Sequence, residues 1–278
     1  MKGVFSIDIE DWYHILDLQN PEIGYYNWEK QEVRFQKNTD IILEILDKRN
    51  VKATFFVLGW IAEKYPEYIR KIANKKHEIA SHGFKHELIY KITPKSFRED
   101  IRSSKALLED ITGQEVLGYR GPGFSIKKST EWALDILIEE GFKYDSTIFP
   151  AKREHGGIAG YSRKPCIIKR ENGEIYEIPI STRKIFLGNI AFCGGGYLRL
   201  FPYWYIREGI KEIISSGMPP IVYLHPREID VEQPKIKMPW KRKFKTYVGL
   251  KTARKKIERL LDEFEWGTAI DLLSRNNF

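Results

Sequence analysis

Residues 52–86 read KATFFVLGWIAEKYPEYIRKIANKKHEIASHGFKH, and this stretch decides the fold. An apolar run over 52–58 is typical of a buried β-strand, a helical pattern over 60–74 follows it, and a second strand-like run covers 77–81. Strands that alternate with helices of this length form parallel βα units. The stretch therefore predicts neighbouring parallel strands, and a pair of histidines directly follows the second of them.

The same alternation continues along the chain. Further strand-like runs lie at 3–8, 115–119, 142–145, 175–180 and 220–224, and further helical patterns lie at 39–49, 94–112, 127–140, 203–216 and 250–264. Seven strands in series favour a barrel over an open sheet. The glycine-rich stretch 146–200 is expected to form long loops over one face, with one strand inside. We expect a single α/β domain over 1–278, with a basic C-terminal segment over 234–278.

Length and composition are those of a globular protein. The chain has 278 residues, of which 42% are hydrophobic and 13% aromatic, enough for one large core. No window reaches the roughly 18–20 apolar residues of a membrane span. The first strand follows Lys2 without a signal peptide, so we expect a cytoplasmic protein. Cys166 and Cys193 are not spaced as a metal-binding pair, and we expect reduced thiols.

Positive charge is concentrated near the C-terminus. The net charge is +8, and residues 234–259 contain eleven Lys or Arg residues and one acidic residue, with Trp240, Phe244 and Tyr247 among them. Three interpretations fit this segment: a solvated helical face, a contact with anionic lipid headgroups or a lipid-phosphate carrier, and a nucleic-acid contact. Nothing else in the sequence resembles a nucleic-acid-binding module, so we expect no nucleic-acid partner.

Side chains that can bind metal or transfer protons lie at the ends of three predicted strands. Asp8, Glu10 and Asp11 lie at the end of the first strand. His82 and His86 follow the strand at 77–81, and His225 follows the strand at 220–224. The carboxyl ends of the strands in a parallel barrel share one site. Two histidines can bind one ion, and a carboxylate completes a set that leaves positions for water and substrate. A second carboxylate can serve as general base. The pattern therefore predicts a metal-assisted hydrolase.

An ordered set of segments carries a resemblance to a known family: 5–14 (FSIDIEDWYH), 52–60 (KATFFVLGW), 81–86 (SHGFKH), 118–125 (GYRGPGFS), 144–146 (YDS), 192–197 (FCGGGY), 223–230 (YLHPREID) and 247–250 (YVGL). Together they resemble the polysaccharide deacetylase family, also called the NodB-homology domain or carbohydrate esterase family 4. The likeness is strongest to the branch associated with exopolysaccharide biosynthesis. It implies a distorted (β/α)7 barrel, in agreement with the strand count.

The resemblance implies roles for individual residues: catalytic base (Asp8), metal-binding histidines (His82 and His86), the arginine that orients the base (Arg120), general acid (His225), the carboxylate that holds this acid (Asp145) and a backbone N–H for the oxyanion (Gly123). Most of the family has adjacent aspartates, whereas this chain has Asp8-Ile9-Glu10-Asp11, so the carboxylate ligand can be Glu10 or Asp11. We expect Asp11, because a short carboxylate better suits a tight site.

Other residues are expected to contact the substrate. Trp12, Tyr13 and His14 would form sugar-stacking walls or pack within a loop. Gly195 and its neighbouring glycines would let the backbone approach a sugar or turn the chain, and Tyr197 follows them in the same segment. The resemblance implies removal of N-acetyl groups from an amino sugar in a polysaccharide, an oligosaccharide or a lipid-linked glycan precursor.

Zinc is the expected ion, although two histidines and a carboxylate also accept other divalent metals. We expect the protein to work in the cytoplasm on a nucleotide- or lipid-linked precursor, with residues 234–259 on the inner membrane surface. Two alternatives stay open. One is a hydrolase of a cyclic amide or ureide on the same fold, and the other is a glycan-binding protein whose site no longer reacts.

Overall fold

The computed structural model describes residues 1–16, 23–153, 155–186 and 188–275. The strands in these residues are β1 (Gly3–Ile9), β2 (Thr54–Val57), β3 (Glu78–Ser81), β4 (Gly118–Tyr119), β5 (Tyr144–Asp145), β6 (Cys166–Arg170), β7 (Gly173–Glu177), β8 (Thr182–Ile185), β9 (Gly188–Ala191), β10 (Ile221–Leu224) and β11 (Trp266–Gly267). The α-helices are α1 (Phe35–Asp47), α2 (Gly59–Lys64), α3 (Pro66–Asn74), α4 (Pro94–Thr112), α5 (Trp132–Glu139), α6 (Gly195–Leu200), α7 (Tyr203–Ser215), α8 (Trp240–Tyr247), α9 (Leu250–Glu263) and α10 (Ala269–Arg275). Short 3-10 helices cover Tyr25–Lys30, Ile89–Lys91, Pro122–Phe124, Lys128–Thr130 and Pro226–Ile229.

A mostly parallel sheet forms the centre of the molecule. Its strand order is β10-β1-β2-β3-β4-β5-β7-β6, the β6–β7 pair is antiparallel, and β11 pairs with β1. After β7 the chain returns to β10, where the Ile221 N–H donates to Ser181 Oγ at 2.8 Å and the Ser181 N–H donates to the Ile221 carbonyl at 3.3 Å. These bonds close the sheet, and the predicted distorted (β/α)7 barrel is confirmed. The prediction of a single domain stays a prediction.

Local sequence signals account for the helix boundaries. Helix α4 has the predicted bounds because Thr93 Oγ1 accepts the Ser96 N–H at 3.1 Å, Pro94 occupies the first turn, and Gly113 ends the helix at φ 65°. The pattern over 60–74 is divided into α2 and α3 at Pro66. Proline removes a backbone donor that a continuous helix would need.

The stretch 146–200 is more regular than predicted. In place of one strand among loops, its described residues contain β6 to β9 and α6. Strands β6 and β7 form an antiparallel hairpin around Asn172-Gly173, and Gly173 has φ 141°. An Asn-Gly pair between strand-like runs is a hairpin signal, so this pair indicates the β6–β7 hairpin that the predicted single strand left out.

The two ends of the barrel differ. At the N-terminal end of the strands, Glu78 accepts hydrogen bonds from the Thr54 and Tyr144 hydroxyls at 2.6 and 2.7 Å, and the Ile270 N–H of α10 donates to it at 3.1 Å. This end is closed by packed side chains. The opposite end carries the polar residues that follow β1, β3, β4 and β10. Among the described helices, none has both the length and the apolar character needed to cross a bilayer.

Candidate active site

A cleft of about 340 Å³ lies at the carboxyl ends of the strands. It is lined by most of the predicted site residues, namely Asp8, Glu10, His14, His82, His86, Gly123, Gly195, Tyr197 and His225. The barrel brings them together because β1, β3 and β10 are parallel and end at the same edge. The cleft also holds residues that the sequence did not single out.

Glu10, His82 and His86 form the centre of the cleft. Glu10 Oε1 lies 3.0 Å from His82 Nε2 and 2.9 Å from His86 Nε2, and all three side chains are buried. The three ligand atoms lie within 4.8 Å of one another. Burial alone would raise the pKa of Glu10, but the charges of His86 and His225 and bonds from His82 and His86 hold it well below its usual value. A buried carboxylate with two imidazoles fits a divalent metal ion.

The loop between the two histidines is held from α4. Asp100 accepts the N–H groups of Phe84 and Lys85 at 2.7 and 2.9 Å. Gly83 has φ 72°, and a Cβ there would lie 2.8 Å from Asp100 Oδ2, so glycine is required. The segment is therefore a loop that leads into a 3-10 helix. Asp100 was not identified from the sequence, because its partners are backbone groups.

The orientation of His82 is set by the backbone of Arg120. His82 Nδ1 lies 2.7 Å from the Arg120 carbonyl oxygen and must donate to it. The free electron pair of the ring is then on Nε2, which faces Glu10 and the cleft. Such a backbone partner is typical of histidines that bind metal.

Asp11 lies outside this cluster, contrary to the expectation that Asp11 rather than Glu10 is the carboxylate ligand. Its carboxylate accepts three backbone N–H groups, from Trp12 at 2.7 Å, Arg34 at 2.7 Å and Phe35 at 2.9 Å. These bonds direct Asp11 towards the start of α1. Glu10 directly follows β1, has the longer side chain, and lines the cleft together with Asp8.

Asp8 and Arg120 form a buried ion pair beside the cluster. Arg120 Nη1 donates to Asp8 Oδ1 at 2.6 Å and to Ser6 Oγ at 2.9 Å. The guanidinium is 1% exposed, donates to Ser146 Oγ at 3.0 Å, and lies 3.9 Å from the centre of the Phe56 ring. This arrangement fixes the direction of the Asp8 carboxylate.

His225 faces Asp8 and Glu10 from β10. Its Nε2 lies 3.8 Å from Asp8 Oδ2 and 3.7 Å from Glu10 Oε1, and its Nδ1 donates to Glu228 Oε1 at 3.0 Å. Burial would lower the pKa of His225, but Glu10 and Glu228 raise it above its usual value. Arg199 forms an ion pair with Glu228. Burial would raise the pKa of Glu228, but Arg199 and His225 lower it to about 2.

Asp145 does not hold His225, so this expectation is wrong. Asp145 pairs instead with Glu177 on the neighbouring strand β7, and it accepts the Thr147 hydroxyl at 2.5 Å. Burial raises the pKa of Asp145 to about 6, and burial next to Asp145 raises the pKa of Glu177 well above its usual value. Glu228 takes the place expected of Asp145. Its signal in the sequence was a carboxylate three residues after the histidine.

The aromatic residues after β1 separate into two groups. Tyr13 is fully buried, and Trp12 is buried and donates through Nε1 to the Glu32 carbonyl at 2.9 Å, so both pack in the core rather than form sugar-stacking walls. His14 lines the cleft. Gly123 also lines it, with φ 65°, and a Cβ there would lie 2.8 Å from Leu16 and from Leu88. A side chain at Gly123 would intrude on the cleft wall.

The remaining lining residues include several cations that sequence reasoning missed: Arg153, Arg199, Arg227, Arg242 and Lys245. Arg242 and Lys245 belong to α8, so part of the basic segment 234–259 forms a wall of the cleft. The amphipathic repeat of α8 was the available signal, but its position over the barrel depends on long-range packing.

Two family models cover most of the chain. Residues 24–143 match the polysaccharide deacetylase family, and residues 146–274 match a domain of unknown function, DUF3473. Asp8, Glu10 and His14 precede the first match, and His82, His86, Arg120 and Gly123 lie within it. Gly195, Tyr197, His225 and Glu228 lie within the second. The second match is consistent with the exopolysaccharide branch, which stays a prediction.

Curated bacterial proteins are similar over part of the chain. A peptidoglycan-N-acetylglucosamine deacetylase of Bacillus cereus is 32% identical over 118 residues, which are 40% of this chain and 43% of that protein. A peptidoglycan deacetylase of Helicobacter pylori is 30% identical over 107 residues, 38% of this chain and 36% of that protein. The similar segments span less than half of these relatives.

Solved structures share the fold over nearly the whole chain. A Mycobacterium smegmatis protein assigned as a polysaccharide deacetylase has a TM-score of 0.65 at 21% identity, covering 98% of this chain and 88% of that one. An allantoinase has a TM-score of 0.62 at 16% identity, covering 96% and 87%. At these identities the structures show the fold alone. The family model identifies residues 24–143 as a polysaccharide deacetylase domain, and the sequence relatives agree with it.

Proposed function

We propose that this protein is a metal-dependent hydrolase that removes the N-acetyl group from an amino sugar of a glycan or glycan precursor. The observation that carries the proposal is the arrangement around Glu10. The Glu10–His82–His86 cluster lies between the Asp8–Arg120 pair and the His225–Glu228 pair, with His225 Nε2 within 3.8 Å of both Asp8 and Glu10. Amide hydrolysis needs a base, an acid and a polarising centre, and this arrangement supports all three.

Asp8 and His225 would carry the proton transfers. Asp8, held by Arg120, accepts a proton from the attacking water. His225, which donates through Nδ1 to Glu228, gives a proton to the departing amine nitrogen, which is a poor leaving group without it. The carbonyl oxygen gains negative charge as water attacks, and the Gly123 N–H would stabilise it, a contribution of about 3 kcal/mol for such a donor.

The side chains of Glu10, His82 and His86 would hold the metal, and the fixed Nδ1–H of His82 supports this set. A divalent ion there would supply Lewis acidity, which activates water and polarises a carbonyl. We propose zinc, the usual ion for two imidazoles and one carboxylate.

The test is acetate release from N-acetylated oligosaccharides by purified protein, before chelation, after chelation and after zinc is restored. The proposal expects acetate release that chelation abolishes and zinc restores. Unchanged release after exhaustive chelation would refute the metal. Turnover of small ureides without any N-acetyl sugar activity would support the cyclic-amide alternative instead.

We also propose that α8 contacts an anionic membrane surface, which would suit a lipid-linked substrate. Trp240 and Phe244 are 73% and 53% exposed, and Lys235 and Lys243 line a shallow groove with them. Exposed aromatic rings beside lysines suit a lipid headgroup layer, where each cation contributes about 1 kcal/mol.

Sedimentation with vesicles of phosphatidylglycerol and phosphatidylcholine at low salt tests this contact. We expect binding that is lost in the double variant Trp240→Ser, Phe244→Ser and kept in Trp204→Ser, which alters an exposed tryptophan on α7. Equal binding by both variants, or no binding by the unaltered protein, would contradict the contact.

A further inference from the structure

Two buried N–H donors in the described part of the cleft have no hydrogen-bond acceptor. They are Nε2 of His14 and Nη1 of Arg227. Buried donors are rarely left without a partner in native proteins, and each one costs about 1–3 kcal/mol. Two such donors lining one cleft therefore indicate a ligand that supplies acceptors.

His14 can only act as a donor at this position. The Asp11 N–H donates to its Nδ1 at 2.8 Å, so the ring hydrogen must be on Nε2. A ring whose Nδ1 accepts a hydrogen bond and whose Nε2 carries the hydrogen cannot bind a metal ion through either nitrogen. His14 is 2% exposed, and this remaining surface lies in the cleft.

Arg227 brings a positive charge to the same region. Its carbonyl accepts the Asp230 N–H at 3.1 Å and the Gln233 side-chain amide at 3.0 Å, which fixes its turn. Its Nη1 is the buried donor that has no acceptor.

The protein's own acids in the cleft lining are already engaged. Asp8 is bound by Arg120, Glu10 by the two histidines, and Glu228 by Arg199 and His225. The lining also contains Arg153, Arg242 and Lys245 from other segments. The positive charge on several walls of the cleft is more than a ligand with a single carboxylate would neutralise. It suits a ligand with a phosphate or diphosphate group.

We propose that the cleft binds an N-acetyl amino sugar that carries a phosphate or diphosphate ester, with Arg227 and the His14 N–H as donors to its oxygens. This inference rests on the proposed deacetylase function and narrows its substrate class. Phosphate oxygens offer several acceptors in different directions, which matches donors that come from separate segments. The group could belong to a soluble sugar phosphate or to a lipid-linked sugar diphosphate, which share this chemistry.

The test compares kcat/KM for acetate release from three probes: N-acetylglucosamine 1-phosphate, a short prenyl-diphosphate N-acetylglucosamine in detergent, and a neutral N-acetylglucosamine trimer. We expect at least about tenfold higher kcat/KM for a phosphate-bearing probe. Arg227→Gln should lose about tenfold on that probe and less than about threefold on the trimer. Arg254→Gln on the exposed side of α9 removes the same charge elsewhere and should change neither.

Preference for the soluble or for the prenyl probe identifies the source of the phosphate. A neutral trimer that reacts best, or an Arg227→Gln variant that loses equally on all probes, would overturn the inference and leave the deacetylase proposal intact. Absence of acetate from every probe in the zinc-loaded protein would overturn both. If Arg227→Gln does not fold, calorimetric binding of the phosphate probe to His14→Phe must be weaker than to the unaltered protein, while binding of the trimer is unchanged.

Discussion

Two clusters of buried acidic side chains occupy equivalent places in the barrel and behave in opposite ways. Glu10 directly follows β1, Asp145 is the last residue of β5, and both are buried. Glu10 faces three imidazoles, and its pKa is held well below the usual value. Asp145 faces Glu177, and burial raises the pKa of both. The partners, more than burial or position in the fold, determine in which direction the pKa of such a carboxyl group shifts.

The largest expected effect tests the first cluster. His82→Ala removes a proposed ligand and should lose both metal and activity, whereas Asp8→Asn keeps the three ligands and should retain metal while activity falls by about 10²–10⁴-fold. Metal content and acetate release of the two purified variants decide this. Full metal occupancy in His82→Ala would contradict the ligand set.

The next comparison substitutes each of the two candidate partners of His225, Glu228 and Asp145, in turn. Glu228→Gln should lower kcat by about 10–100-fold at pH 8, because His225 loses a charged partner and its pKa falls. A general acid must be protonated, so activity decreases as pH rises through this pKa, and the alkaline limb of the pH profile should move to lower pH. Asp145→Asn should change kcat by less than about threefold.

Acetate release between pH 6 and 10 measures both variants. A shift of the alkaline limb in Asp145→Asn, with none in Glu228→Gln, would restore the role that the sequence resemblance implied for Asp145.

Stability against pH tests the second cluster. The pKa of Asp145 is raised to about 6 in the folded protein, so its contribution to stability is present below pH 4 and is lost as pH rises through 6. We expect Asp145 alone to account for a loss of about 1.4 kcal/mol in unfolding free energy between pH 5 and pH 8. Glu177→Gln removes the second acid of the pair, whose pKa is raised well above its usual value, and should reduce the pH dependence of stability. Urea unfolding at both pH values measures it, and an unchanged pH dependence would argue against the carboxyl pair.

The smallest effect has the opposite sign. Burial lowers the pKa of His77 to about 4, and its Nδ1 accepts the Ala53 N–H at 3.2 Å. The folded protein resists protonation of this ring, so stability is present above pH 6.5 and falls by about 1 kcal/mol by pH 5.5. His77→Asn keeps an acceptor for Ala53 and should remove this loss. Melting temperatures at pH 7.5 and 5.5 provide the check, and an identical pH dependence in the variant would contradict it.

The sequence alone predicted the barrel, because seven apolar runs alternate with helical patterns whose ends are marked by proline and glycine. It also predicted that Asp8, Glu10, His82, His86 and His225 share one site, because residues after parallel strands meet at one edge. These inferences depend on local pattern and on the topology that follows from it.

Partner choice within the site could not be predicted in the same way. The N–H groups of Arg34 and Phe35 direct Asp11 away from the metal-binding cluster. Asp145 pairs with the Glu177 carboxyl group on β7 instead of with His225. Glu228 is selected by Arg199, which comes from α6. Each of these contacts depends on side-chain direction and on segments distant in the sequence.

The most direct test of the central claim is the metal content per chain of the unaltered protein, Glu10→Gln and Asp11→Asn, measured after identical zinc loading and dialysis. The account predicts about one equivalent in the unaltered protein and in folded Asp11→Asn, and a large loss in Glu10→Gln. Full occupancy in Glu10→Gln together with loss in Asp11→Asn would contradict the Glu10–His82–His86 site.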